Sequence, residues 1–295
     1  MKTNRITKML ALLAACAALT GCGGAAGTET GEALPGVSAS QEAVDAEGTN
    51  LEVYCFSAGK ADAILLTTEN STVLIDCGEK GFGKDILAHL ETRGIDYIDC
   101  LIITHFDQDH VGGAAKVINN ISVGTVLQSN CPKDSEEYEK YVTALTNAGL
   151  EPVTVRETME IVLDGVRYMI DPPKSDDYDQ DDSNNSSLIV TVYNGTNVLL
   201  FTGDAQTERL EEYLESETVD CDFLKVPHHG GEDELMDDLI AVVQPEYAVI
   251  TCSEEEPEAD VIEVDKVAVA LIVDIVMPEA VAQDMLEDVY LERLE

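Results

Sequence analysis

Positive charge is what this chain lacks most. Its 295 residues carry 17 Lys and Arg against 58 Asp and Glu, a formal net charge of -41. That balance excludes binding of nucleic acid through a broad basic surface, because phosphate contacts need clustered cations. It favours solubility and repulsion of polyanions, and it says little about fold. Histidine is scarce too, with five in all. No CxxC spacing occurs among the eight cysteines, which argues against a structural zinc knuckle. There is no internal repeat. At this length and 45% hydrophobic content the chain can bury one large core, so one domain with short appendages is the simplest count.

The first 21 residues hold Lys2, Arg5 and Lys8 and no acid, and Met9 to Leu19 is an apolar run too short to span a bilayer. Leu19-Thr20-Gly21-Cys22 resembles the lipobox of bacterial lipoproteins. That resemblance implies cleavage before Cys22, lipidation of its thiol, and a mature protein tethered outside the cytoplasmic membrane. Without the leader, 14 bases face 58 acids. Residues 22–49, rich in Gly, Ala, Ser, Thr and Glu, read as a flexible tether. Cys16 leaves with the leader and Cys22 takes the lipid. Cys55, Cys77, Cys100, Cys131, Cys221 and Cys252 remain, mostly in or beside apolar strand-like runs, and are expected as buried thiols.

From Asn50 onward short strand-like and helix-like stretches alternate. Strands are expected at 51–57, 63–67, 72–76, 97–104, 125–128, 166–170, 188–193, 198–202, 223–226 and 247–251. Helices are expected at 84–93, 113–119, 135–148, 205–215 and 233–243. Apolar runs such as Cys100–Ile103 need cover on both faces, so the pattern predicts an α/β fold of two packed sheets with helices outside. Asp177, Asp179 and Asp181 hint at a calcium loop, but Asp182 and Leu188 stand where an EF-hand needs Gly and Glu, so a solvated loop is expected. After residue 253 come an acidic stretch (254–260), an apolar one (266–277) too short to span a membrane, and an acidic amphipathic helix (279–295). The structure of 254–295 stays open.

The chemistry concentrates in one loop. The strand Cys100–Thr104 runs directly into His105-Phe106-Asp107-Gln108-Asp109-His110, which packs two imidazoles and two carboxylates into six residues. Such ligands suit zinc, manganese or iron, and carboxylate-rich sets lean towards the harder ions. Val198–Phe201 leads to Thr202-Gly203-Asp204, and Phe223–Val226 leads to Pro227-His228-His229-Gly230. Three apolar strands thus each deliver metal-type side chains at the carboxyl end. Loops at one sheet edge are expected to converge on a site.

In this order the motifs resemble the metallo-β-lactamase superfamily, most closely the hydrolase domain of ComEC-type competence proteins. Leu74-Ile75-Asp76-Cys77-Gly78 matches the family's early strand ending in Asp-x-Gly, and Gly59-Lys60-Ala61-Asp62-Ala63 resembles its glycine-rich first turn. The resemblance covers residues 50–253, taken as the hydrolase domain, and implies a four-layer αβ/βα sandwich of two mixed sheets flanked by helices. It also implies one or two divalent ions, zinc or manganese. His105 and Asp107 would hold one ion; Asp109, His110 and His228 the other; Asp204 would bridge them. His228 is preferred to His229 because it comes first off the strand. Asp109 and His228 are also the candidate catalytic residues. Asp76 and Asp62 would orient ligands, His229 would support them or face substrate, and Lys225, Asn184, Asn185 and Ser186 are candidate substrate contacts. Two departures stand out: Asp107 where many members have His, and no His in Ser183-Asn184-Asn185-Ser186-Ser187, where many have one.

The implied chemistry is hydrolysis by metal-activated water, since a bound ion can lower the pKa of water from 15.7 to roughly 7. The expected substrate is a phosphoester, either a phosphodiester or a DNA strand, met outside the membrane. A small or cell-wall phosphoester, such as a phosphocholine ester, is the enzymatic alternative. A lipoprotein that keeps the fold as a non-enzymatic scaffold is the other.

Overall fold

The computed structural model describes residues 48–175, 178, 180–216, 218–252, 268–271 and 275–276. The leader 1–21, Cys22, the tether up to residue 47, the possible calcium-loop residues Asp177 and Asp179, and the helix expected at 279–295 lie outside them. Among the described residues no helix is long and apolar enough to cross a membrane.

One sheet contains β1 (Glu52–Cys55), β2 (Ile64–Thr67), β3 (Thr72–Ile75), β4 (Tyr97–Ile103), β5 (Ser122–Gln128) and β6 (Val153–Thr154). The other contains β7 (Met159–Leu163), β8 (Val166–Asp171), β9 (Ile189–Asn194), β10 (Asn197–Phe201), β11 (Phe223–Lys225) and β12 (Tyr247–Ile250). The apolar stretch 266–277, which had no assigned structure, supplies β13 (Ala268–Leu271) and β14 (Ile275–Val276). β13 pairs parallel with β12, and β14 pairs antiparallel with β1, so one strand extends each sheet. The orders are β14-β1-β2-β3-β4-β5-β6 and β13-β12-β11-β10-β9-β8-β7. Both sheets are mixed, with antiparallel pairing in one half and parallel pairing from β3 to β6 and from β10 to β13.

Period-two alternation explains the layers, since successive side chains on a strand point to opposite faces. Val53, Ile64, Leu66, Val73, Ile75, Cys100 and Ile102 face inward and meet Val190, Val192, Leu199, Phe201 and Phe223 of the second sheet. Leu65, Leu74, Leu101 and Ile103 face outward and are covered by helices α1 (Gly83–Thr92), α3 (Ala114–Ile118) and α4 (Glu136–Ala148). Ile189, Leu200, Leu224 and Ala248 are covered by α5 (Thr207–Leu214) and α6 (Met236–Val243). The result is the expected four-layer sandwich. Helix α4 has clear sequence causes: Ser135 Oγ accepts from Tyr138 N at 3.2 Å, three glutamates fill the first turn, and Gly149 ends it at φ 68°.

One helix departs from expectation in a way that shapes the site. The stretch read as a single helix over 113–119 is preceded by a separate turn, α2 (Gln108–Val111), so His110 sits on a helix rather than in an open loop. Gly112 and Gly113 separate the two turns and lie against the chain after β3. A Cβ at Gly113 would stand 2.1 Å from Cys77 O. The six described cysteines are all free thiols.

Candidate metal centre

Parallel pairing of β3 with β4 brings Asp76 and the His105 loop to one edge of the first sheet. Parallel pairing of β10, β11 and β12 does the same for Asp204, the segment from Lys225 to His229, and Thr251 on the second. Backbone hydrogen bonds lace the first group together. Asp62 N donates to Asp109 O at 3.1 Å, Cys77 N to His110 O at 2.8 Å, and Gly113 N to Gly78 O at 3.1 Å. Across the sheets, Leu188 N donates to Thr104 O at 2.9 Å.

Asp109, His110, Asp204 and His229 converge, with one potential ligand atom from each lying within 4.8 Å of the others. Asp204 Oδ2 is 3.1 Å from His110 Nε2 and 3.0 Å from His229 Nε2, and Asp109 Oδ2 is 3.3 Å from His229 Nε2. Two ligands follow strands of the first sheet and two follow strands of the second.

The imidazoles are oriented from behind. His110 Nδ1 contacts Asp76 Oδ2 at 2.8 Å, and His229 Nδ1 contacts Thr251 Oγ1 at 2.9 Å. His105 Nδ1 has Thr104 Oγ1 at 3.2 Å and Ser187 Oγ at 3.4 Å. Asp76 is fixed in turn, accepting from Thr104 N at 2.8 Å and Thr104 Oγ1 at 2.6 Å, and it adopts a left-handed φ of 58°. The Nε2 atoms of His105, His110 and His229 are buried and have no hydrogen-bond partner. Buried polar atoms are normally satisfied. His110 and His229, anchored through Nδ1 with their Nε2 atoms beside Asp204 Oδ2, fit a bound divalent ion, and anchoring of the second ring nitrogen is how ligand histidines are held.

The sequence preference between the paired histidines is reversed. His228 and His229 both adopt left-handed backbone, at φ 47° and 55°. This turn swings His229 into the cluster and leaves His228 half-buried outside it, with its N–H on Gly203 O at 3.3 Å. His228 is preferred on sequence because it comes first off the strand, and the left-handed turn overrides that order. Such backbone is costly for non-glycine residues and is found where surrounding structure enforces it.

The proposed substrate contacts are placed elsewhere as well. Lys225 is fully buried; its Nζ is 2.5 Å from Asp62 Oδ2, 2.9 Å from Gly203 O and 3.3 Å from Asp204 Oδ1. Asn185 Oδ1 accepts from Arg209 N at 3.1 Å, and Ser186 Oγ donates to Ser183 O at 2.5 Å; both residues are buried struts of their loop. Asn184 Nδ2 donates to Gln206 Oε1 at 2.9 Å. Asp62 sits behind the centre, accepting from Thr251 Oγ1 at 2.6 Å, with His229 Nδ1 at 3.6 Å.

His105 and Asp107 do not join the four-residue cluster. Asp107 Oδ1 is 4.0 Å from His105 Nε2 and is engaged by Lys133 Nζ at 2.6 Å and Ser183 Oγ at 2.6 Å. Lys133, Thr104, Ser187 and Thr251 are the residues that the motif reading missed. The two threonines end strands that looked wholly structural, and Lys133 is an isolated lysine in a loop.

The charges are tightly coupled. Burial opposes ionisation of Asp204, but His110, His229 and Lys225 outweigh it and hold its carboxyl well below the usual range. Asp109 is likewise depressed against burial by His229 and His110. Burial opposes protonation of His110, yet Asp204 and Asp76 lift it well above an ordinary imidazole. His229 is raised in the same sense by Asp204 and Asp109. Burial, together with His110, keeps His105 low.

Residues 57–253 match the family profile of the metallo-beta-lactamase superfamily. The chain belongs to that superfamily. It is similar to ComE operon protein 3 of Bacillus subtilis, 27% identical over 169 residues, covering 57% of this chain and 22% of that protein. It is also similar to recombination protein 2 of Haemophilus influenzae, 26% identical over 214 residues, covering 70% of this chain and 25% of that protein. The chain thus spans about a quarter of the length of these relatives. Its fold is like that of the solved metallo-beta-lactamase fold protein YhfI from Bacillus subtilis, with a TM-score of 0.53 at 10% identity, covering 77% of this chain and 99% of that one. The two mixed sheets flanked by helices are the superfamily's architecture, as the motifs implied.

Proposed function

We infer that this chain is a metal-dependent hydrolase of phosphodiesters that works outside the cytoplasmic membrane. The convergence of Asp109, His110, Asp204 and His229, with Nε2 atoms that have no other partner, is the observation that carries the reading. Asp109, His110, Asp204 and His229 would hold a divalent ion there, and the chemistry it would supply is Lewis acidity towards water and a phosphoryl oxygen. Asp204 presents Oδ2 to this centre while Lys225 holds Oδ1, which fixes the carboxylate's direction. Asp76 and Thr251 keep His110 and His229 aimed through their Nδ1 atoms. The location rests on the basic-apolar leader and the lipobox-like Leu19–Cys22.

The names of the relatives, a recombination protein and a ComE operon protein, favour a DNA strand as the diester. Two observations favour a smaller phosphoester. The net charge of -41 repels polyanions, and a cavity of about 530 Å³ is lined by Gln206, Gly231, Glu232, Asp233, Glu234 and Asp237. A panel of bis-p-nitrophenyl phosphate, single-stranded DNA and small phosphomonoesters, run with Mn²⁺ or Zn²⁺, separates the two. Turnover of the nitrophenyl diester without DNA cleavage rejects the nuclease version. No turnover on any substrate, from protein that retains no metal, rejects the hydrolase. Asp204→Ala should abolish any activity that depends on the centre.

A further inference from the structure

Asp107 stands apart from the four residues that converge, and the reason is visible at one atom. Its Oδ1 accepts from Lys133 Nζ at 2.6 Å and from Ser183 Oγ at 2.6 Å. Lys133 Nζ also donates to Ser183 Oγ at 2.7 Å, so the three groups form a closed triangle. This Oδ1 is the Asp107 atom that lies 4.0 Å from His105 Nε2. A carboxylate oxygen has about two acceptor sites, and here two donors take them. Lys133 is no loose surface lysine, since only 25% of its side chain is exposed.

Nothing nearby replaces what Asp107 withholds. Ser183, Asn184, Asn185, Ser186 and Ser187 offer neither imidazole nor carboxylate. Ser187 Oγ is spent on His105 Nδ1 and on the backbone N–H of Asp204. Asp204 has Oδ1 against Lys225 Nζ at 3.3 Å, so its free side is the Oδ2 that already meets His110 and His229. Among the described residues, the carboxylate oxygen within 4.0 Å of His105 Nε2 is Asp107 Oδ1, already paired, whereas four potential ligand atoms converge at Asp109, His110, Asp204 and His229.

We propose that the tethered ammonium of Lys133 supplies, at Asp107, the positive charge that a second divalent ion would bring, so that the centre takes one ion, at Asp109, His110, Asp204 and His229. This rests on the reading of that cluster as a metal centre. Lys133 is then a positioning residue: it holds Asp107 beside His105 and keeps the second position closed. A cation fixed by a covalent stem does not depend on metal supply, and like charge beside the opening disfavours entry of another cation.

Equilibrium dialysis of the full chain against Mn²⁺, read by elemental analysis and by Mn²⁺ electron paramagnetic resonance, tests the idea without reference to activity. The wild-type chain should hold one Mn²⁺ with an isolated-ion spectrum. Lys133→Met should approach two per chain with a spin-coupled spectrum, and Lys133→Arg should stay at one. Ser183→Ala, which removes one donor to Oδ1 and one anchor of the ammonium, should move in the same direction as Lys133→Met and serves if that variant does not fold. Two ions in the wild-type chain would overturn this inference and leave the metal centre standing. No bound ion would overturn both. One ion in wild type and in both Lys133→Met and Ser183→Ala would show that Lys133 closes nothing.

Discussion

Asp76 never reaches solvent, yet it touches both the backbone and side chain of Thr104 and the Nδ1 of His110. Its Asn variant keeps the shape but cannot accept on both sides, so His110 loses its anchor. Groups of this kind are worth roughly 10–100-fold in metal affinity, and that is the drop expected for Asp76→Asn in a competition titration with a chelating dye. The paired histidines give a sharper contrast. His229→Ala should lose more affinity than Asp76→Asn, because a ligand itself is gone, while His228→Ala should keep the metal. Equal losses would mean that the left-handed turn does not select between the rings. The ligand types were legible in the sequence because His and Asp announce themselves in an apolar context. Which histidine points inward was not, because a pair of identical residues carries no sign of its φ. Lys133 was invisible for another reason: a lone lysine becomes informative only when the fold sets it 2.6 Å from Asp107.

At the level of elements, the turn α2 and the glycines after it are the joint on which the site hangs. A methyl group at Gly113 would collide with Cys77 O, a backbone atom that cannot rotate away. Overpacking of this kind costs about 1–3 kcal/mol. Gly113→Ala should therefore lower the urea midpoint by that equivalent and weaken metal binding with it, since Cys77 N also holds His110 O. Loss of stability with unchanged metal affinity would show that the joint does not transmit to His110. Glu52–Cys55, which alternates in burial, and Ile64–Thr67, a short apolar run buried throughout, were readable because each face had its own apolar partners. Val153–Thr154 is too short for any period to show, and Met159–Leu163 was passed over although Ile161 reaches the core. Gln108–Val111 is a single turn of mostly polar residues, and no propensity argument would isolate it.

Over the whole molecule, the coupled charges set a pH dependence whose direction can be worked out. Asp204 and Asp76 raise His110 above the ordinary 6.5, and Asp204 and Asp109 raise His229, each against the opposing pull of burial. Their contribution to metal-free stability is fully present below pH 6.5 and is lost as pH rises through the folded-state values. Asp109 and Asp204 are depressed below 3.8, so their contribution is present above that value and is lost on further acidification. Metal-free protein should be most stable between those limits, with a urea midpoint that falls as pH rises above 6.5. Saturating Mn²⁺ should flatten that fall, because the ion takes the place of the protons. A metal-free midpoint that rises over this interval would refute the assignment.

The division of the centre between the two sheets has a mechanical meaning. Asp109 and His110 come from one sheet, Asp204 and His229 from the other, so an ion that joins Asp109 to His229 closes a chain loop of about 120 residues. Such a closure acts as a reversible cross-link, a clasp that a chelator opens as a reductant opens a disulfide. The two sheets already share an apolar interior and polar contacts such as Leu188 N to Thr104 O, and the clasp would add a further closure at the rim. A chain that folds before it meets an ion would then close that clasp only when one arrives.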